Sequence, residues 1–125
     1  MDAAEGSARK RETLRKYEIL RGHGAIERVF REGKKVNGKL VSVFYLPNPE
    51  KKVAFVASRQ YRKAVKRNRV KRLLREIYRK NKDLFPDGHW ILYGKFFDPI
   101  PDYHQLKQDV IKTMEVFKKA HQNND

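Results

Sequence analysis

The stretch Lys63-Ala-Val-Lys-Arg-Asn-Arg-Val-Lys-Arg-Leu-Leu-Arg-Glu-Ile-Tyr-Arg79 decides how this chain is read. At about 100° per residue, Val70, Leu73, Leu74 and Ile77 gather on one side of a helix. Asn68, Lys71, Arg72, Arg75 and Arg79 recur on the other, so one side is core and the other cationic. Lys63, Lys66 and Arg67 project nearer the apolar side, which implies that the first turn runs past the core and presents its own surface. That end carries free backbone N–H groups and the positive end of the helix dipole, which suit a phosphate. From Arg59 to Lys80 there are eleven Lys or Arg residues and a single acid, Glu76, two-thirds of the chain's net +15. Such a density repels itself and is relieved by a polyanion; a merely solvated helix mixes Glu with Lys. Arg dominates between Arg67 and Arg79, and its planar fork suits bidentate phosphate contacts and stacking on bases.

The rest of the chain fits one folding unit around that helix. Its 125 residues are 39% hydrophobic and 11% aromatic, so this is a folded domain with basic surfaces rather than a basic tail. The absence of cysteine excludes disulfides, zinc thiolates and thiol catalysis. No long apolar run and no signal-peptide pattern is present, which leads us to expect neither a membrane span nor secretion, and a cytoplasmic setting.

Residues 1–13 read as a flexible basic arm and residues 14–121 as a single domain. Ala25 to Gly33 reads as a short helix with Ile26, Val29 and Phe30 on one face and Gly33 ending it. Asn37-Gly38 marks a turn. Leu40 to Leu46 alternates as a strand stopped by Pro47-Asn-Pro49, and Lys52 to Ser58 is the next strand. After the basic helix, Pro86-Asp-Gly88 turns into a short buried strand, Trp90 to Tyr93. Tyr103 to Lys119 is a final amphipathic helix lined by Leu106, Val110, Met114 and Phe117. The resulting order is α-β-β-β-α-β-α, an α+β two-layer sandwich of helices on a sheet.

Ala64 to Glu76, with Arg28-Val-Phe-Arg-Glu-Gly33 and Val56-Ala-Ser58 upstream, resembles the protein subunit of bacterial ribonuclease P over about residues 14 to 120. The resemblance implies a mixed four-stranded sheet with a left-handed βαβ crossover carrying the basic helix, a hand that the residue pattern does not show. It implies an endoribonuclease subunit that promotes removal of the 5′ leader of precursor tRNA, the chemistry being done by a catalytic RNA and its Mg2+ ions. Arg67, Asn68, Arg69, Lys71, Arg72 and Arg75 then face RNA and its metal ions. Arg59, Lys63, Lys66 and Arg79 complete the cationic set, and Asn68 is the candidate for contact with magnesium. Phe30 and Phe44 fall in the leader cleft, as does Ile26, which stands where the family places an aromatic residue. Ahead of the motif, the family's two lysines and glycine are replaced by Arg59, Gln60, Tyr61 and Arg62.

Plainer readings stand beside these. Phe30 and Phe44 are equally at home in a core, and Asn68 serves as well as a surface amide or helix cap. His23, His89, His104 and His121 are scattered without ligand spacing. Asp83, Asp87, Asp98 and Asp102 sit in loops rather than in a two-metal cluster. The protein therefore has no expected active site of its own and no obligate protein partner. The alternative function is a structured-RNA-binding protein without enzymatic duty, such as a ribosomal protein or RNA chaperone. A DNA-binding regulator lacks the tight helix pair it needs before Arg62.

Overall fold

The computed structural model describes residues 13–123. In chain order they form α1 (His23–Glu32), β1 (Lys34–Asn37), β2 (Val41–Leu46), β3 (Lys52–Ala57), α2 (Ala64–Lys80), β4 (His89–Gly94) and α3 (Tyr103–Asn123). Single 3-10 turns at Lys16–Glu18 and Lys82–Leu84 complete the set. The order is the α-β-β-β-α-β-α expected above, with β1 the one strand that no stretch of the residue pattern marks. Of the expected arm, residues 1–12 lie outside the described residues.

The sheet runs β1-β2-β4-β3. β1 and β4 are both antiparallel to β2, while β3 and β4 are parallel, so the sheet is mixed. Parallel neighbours cannot be joined by a tight turn, and α2 supplies the crossover between them. β1 has no clear pattern in the sequence because only Val36 of its four residues is buried.

Alternation divides the strands between two faces. On one face Val43, Tyr45, Val53, Trp90 and Leu92 pack against Val70, Leu74, Ile77 and Tyr78 of α2 and Leu106, Val110, Met114 and Phe117 of α3. Truncating a fully buried member of this cluster, such as Leu74 or Ile77, to Ala costs about 2–5 kcal/mol. On the opposite face Phe44, Ala54 and Ile91 meet Leu20 and Val29. The expected two layers are thus the sheet with α2 and α3. The ten-residue α1 adds a partial cover behind them, too short to close that face.

Two ties hold the periphery. Asp109 of α3 accepts hydrogen bonds from the backbone N–H groups of Lys39 (3.1 Å), Leu40 (2.9 Å) and Val41 (2.9 Å), fastening the β1–β2 turn. Ahead of α1, the chain runs beside the outer edge of β3: Leu20 N–H donates to the Val53 carbonyl at 2.8 Å, and Ile19 forms a parallel bridge with Val53. Lys82 holds this segment through Glu18 (2.8 Å) and the Thr13 carbonyl (2.8 Å).

Candidate nucleic-acid interface

α2 contains neither Pro nor Gly and is rich in Arg, Lys and Leu, residues that lose little side-chain freedom in a helix. Its N-cap, Lys63, is extended and offers no capping side chain. The entry is instead tied down by Arg67, whose Nη1 donates to the carbonyls of Tyr61 (2.6 Å) and Arg62 (3.0 Å). At the far end Asn81 Nδ2 donates to the Ile77 carbonyl at 2.7 Å, and Arg79 and Lys80 sit where the dipole favours cations.

With Val70, Leu74, Ile77 and Tyr78 buried, the opposite side faces solvent. Asn68, Arg69, Lys71, Arg72 and Arg75 are all exposed, as are Lys63 and Lys66 on the first turn and Arg59 ahead of it. Among the described residues, Lys63, Lys66, Arg69, Lys71, Arg72 and Arg75 form no ion pair. Glu76 turns to the C-terminal end, pairing with Arg79 (2.7 Å) and Lys80 (3.4 Å). The hydrogen bond from Arg79 holds its carboxyl below the usual carboxylate range. The cationic set is therefore not uniform. Arg67 and Arg79 are half-buried and bonded to the protein itself, while the cations between them project outward.

Beside this helix, the uncovered part of the sheet forms an open groove of about 630 Å3 lined by Phe30, Val56, Arg59, Gln60, Tyr93 and Phe96 among others. Phe30 is 37% exposed and meets Phe44 edge-on at 4.7 Å and Tyr93 at 6.5 Å. Phe44 is only 9% exposed and forms the floor under Phe30, with the Lys35 ammonium 5.6 Å from its ring. Ile26 packs half-buried against the same cluster and offers no ring. Of the three cleft residues expected from the sequence, then, Phe30 alone presents an accessible aromatic face.

Tyr93 and Phe96 join the groove without having been picked out from the sequence as site residues, and Val56 and Gln60, noted there only for the family resemblance and its departure, join it too. Tyr93 was within reach of pattern reasoning: β2–β4 pairing sets Phe44 opposite Ile91 and Ser42 opposite Tyr93, so period two puts Tyr93 on the groove face. Tyr61 has the reverse fate. It is buried, donating its hydroxyl to the Lys95 carbonyl (2.9 Å) and accepting from the Phe97 N–H (2.9 Å). Burial raises its phenol above the ordinary value. A turn in which Ser58 accepts from the N–H groups of Gln60 and Tyr61 sends Tyr61 inward and leaves Arg59 and Gln60 on the surface.

Known proteins share this fold. The Ribonuclease P family profile matches residues 14–119. The chain belongs to the ribonuclease P protein family. The ribonuclease P protein component of Petrotoga mobilis is 34% identical over 111 residues, 82% of this chain and 93% of that protein. That of Coprothermobacter proteolyticus is 39% identical over 79 residues, 63% of this chain and 66% of its own length. Among solved structures, the RNase P protein of Thermotoga maritima superposes with a TM-score of 0.68 at 25% identity, covering 78% of this chain and 94% of that one. The Staphylococcus aureus RNase P protein, 18% identical, shares the fold with a TM-score of 0.70 over 82% of this chain and 97% of its own. As a ribonuclease P protein component, the chain is a subunit of an endoribonuclease of tRNA processing and a partner of the ribonuclease P RNA. The ribosomal-protein and chaperone reading is not favoured. No helix among the described residues is long and apolar enough to cross a membrane.

Proposed function

We propose that α2 docks on the catalytic RNA and that the groove between α1 and the sheet guides the single-stranded 5′ leader of precursor tRNA, promoting its endonucleolytic removal in the bacterial cytoplasm. The observation that carries this reading is the row Lys66, Arg69, Lys71, Arg72 and Arg75 on α2, in no ion pair among the described residues, beside an aromatic-walled groove. Cations on a rigid helix release counterions from an RNA backbone on docking, and an exposed ring offers sequence-tolerant stacking to an unpaired base. The two surfaces meet at the turn before α2, where Arg59 and Gln60 border the groove.

Among the described residues no group of three or more His, Cys, Asp or Glu side chains gathers in a metal-binding arrangement. The fit to Mg2+ is therefore indirect. The exposed Asn68 amide oxygen suits a water of a hydrated ion held by RNA, a contact that the flanking arginines, as pure donors, cannot make. Magnesium held by the RNA subunit would supply activation of the attacking water and stabilisation of the leaving oxygen. The chain's own part is to bind, orient and neutralise.

Cleavage of a 5′-extended precursor tRNA by a bacterial ribonuclease P RNA at low magnesium, with and without this protein, tests the reading. A 5′ cut that depends on both components, with a gain that grows with leader length until the groove is filled, is the expected result. Binding to RNA with no stimulation of cleavage by a cognate RNA subunit would instead leave a non-enzymatic RNA-binding protein.

A further inference from the structure

We propose that Phe96 is a second stacking platform, and that the pocket it shares with α2 holds one nucleotide of the leader beyond those in the groove. The inference rests on the leader reading of the groove and extends its path.

Phe96 borders two cavities at once. One is the groove, whose wall it shares with Phe30 and Tyr93. The other, about 280 Å3, is lined by Lys66 and Arg69 of α2 and the loop Phe97 to Ile100. The side chain is 40% exposed, although a lone exposed phenylalanine is by itself ordinary. What sets this one apart is how firmly it is held. Its ring leans on Tyr61 at 4.9 Å, and the Tyr61 hydroxyl bonds the backbone on both sides of it, at Lys95 and Phe97. A pre-ordered ring loses little conformational freedom when a base stacks on it, which is the economical way to build a binding surface.

The polar groups of the second pocket give the ligand a direction. Lys66 and Arg69, neither in an ion pair among the described residues, supply charge for a phosphate at the α2 wall. Asp98 lies on the same rim, where it repels phosphate and accepts an N–H from a base edge. A nucleotide fits with its phosphate toward α2, its base face on Phe96 and its polar edge toward Asp98. At about 280 Å3 the space is at the small end for ligand sites, suited to a single unit rather than a run. The leader thereby passes from the groove over Phe96 to the helix that docks on the catalytic RNA.

The experiment uses the assembled holoenzyme and precursor tRNAs carrying 2-aminopurine, whose fluorescence is quenched by stacking, at successive leader positions. Two positions are expected to be quenched on binding. Phe96→Ala releases the fluorescence at one, Phe30→Ala at the other. Phe96→Ala also weakens precursor affinity by about tenfold, only for leaders long enough to reach the released position. Phe96→Trp keeps both signals, and Phe96→Leu, which retains packing on Tyr61, behaves as the Ala variant. If a Phe30-dependent position exists but none depends on Phe96, the inference is overturned and the groove reading stands. If no position depends on Phe30 either, both fall. Equal weakening with leaderless tRNA, or weaker assembly with the catalytic RNA, places Phe96 at another contact and also overturns the inference.

Discussion

Gly94 of β4 lies directly under Val70 of α2, so close that a β-carbon at position 94 would come within 2.5 Å of Val70 Cγ1. This contact sets the depth at which the basic helix rests on the sheet. Gly94→Ala is expected to cost about 1–3 kcal/mol by overpacking, and Val70→Ala in the same chain to recover part of it. Urea denaturation of the single and double variants checks the coupling. Equal stability of Gly94→Ala and the parent would show that the helix can lift without penalty.

Arg67 and Arg69 are both arginines of the basic helix, yet they are expected to behave differently. Arg67→Ala removes two hydrogen bonds to the carbonyls of Tyr61 and Arg62 and should destabilise the protein by about 1–2 kcal/mol. Arg69→Ala, at an exposed position, should stay within about 0.5 kcal/mol of the parent while reducing the salt dependence of RNA binding by about one counterion. Thermal melts beside binding isotherms at several salt concentrations separate the two. Equal melting temperatures would remove the distinction.

Asp109 is the sole carboxylate bonded to the β1–β2 turn among the described residues, and it satisfies three N–H groups at once. Asp109→Ala leaves those donors without their acceptor beside buried Val41, at a cost of about 2–4 kcal/mol. Hydrogen exchange should show the amides of Leu40 and Val41 opening much sooner in the variant. Unchanged exchange there would mean that water replaces the carboxylate freely.

His89 gives the fold a dependence on acid. Burial lowers its imidazole below the ordinary value; Glu50 opposes that shift, while Lys52 and Arg28 add to it. Its Nε2 is buried without a hydrogen-bond partner. The unfolded chain therefore takes up the proton first. Stability is full above the ordinary histidine value of about 6.5 and falls as the pH drops below it toward the folded value. Between about pH 7.5 and about pH 5.5, the parent should lose more melting temperature than His89→Gln. Parallel losses would assign the dependence to other groups.

Much of this architecture is legible in the residues. α2 shows itself because two periodicities coincide on it, and β2, β3 and α3 follow from alternation and a long amphipathic stripe. β1 stays hidden because Lys34-Lys-Val-Asn37 is too short and cationic to show a pattern; only its pairing with β2 makes it a strand. The site is less legible than the fold. Tyr61 reads as a departure from the family's motif, yet it is a buried anchor, because its role depends on a loop more than thirty residues away. Phe96 carries no signal in the sequence, since a cavity wall arises only when β4 is laid beside β3. Arg67 and Arg69 are indistinguishable in one dimension, and carbonyl geometry alone separates the structural cation from the outward one.

The strand-like passage of Ile19 and Leu20 beside β3 has a consequence for the free subunit. A mixed sheet has two outer strands whose unpaired amides invite neighbouring chains to join by edge pairing. Here one margin is occupied in part by the chain's own leading segment, clasped by the Glu18–Lys82 pair, and the other is a four-residue strand carrying exposed Lys34 and Lys35. Both margins thus discourage self-assembly into fibrils or sheet-extended dimers. That protection matters most in the interval between synthesis and capture by RNA, when the polyanion that quiets the cationic surface is absent.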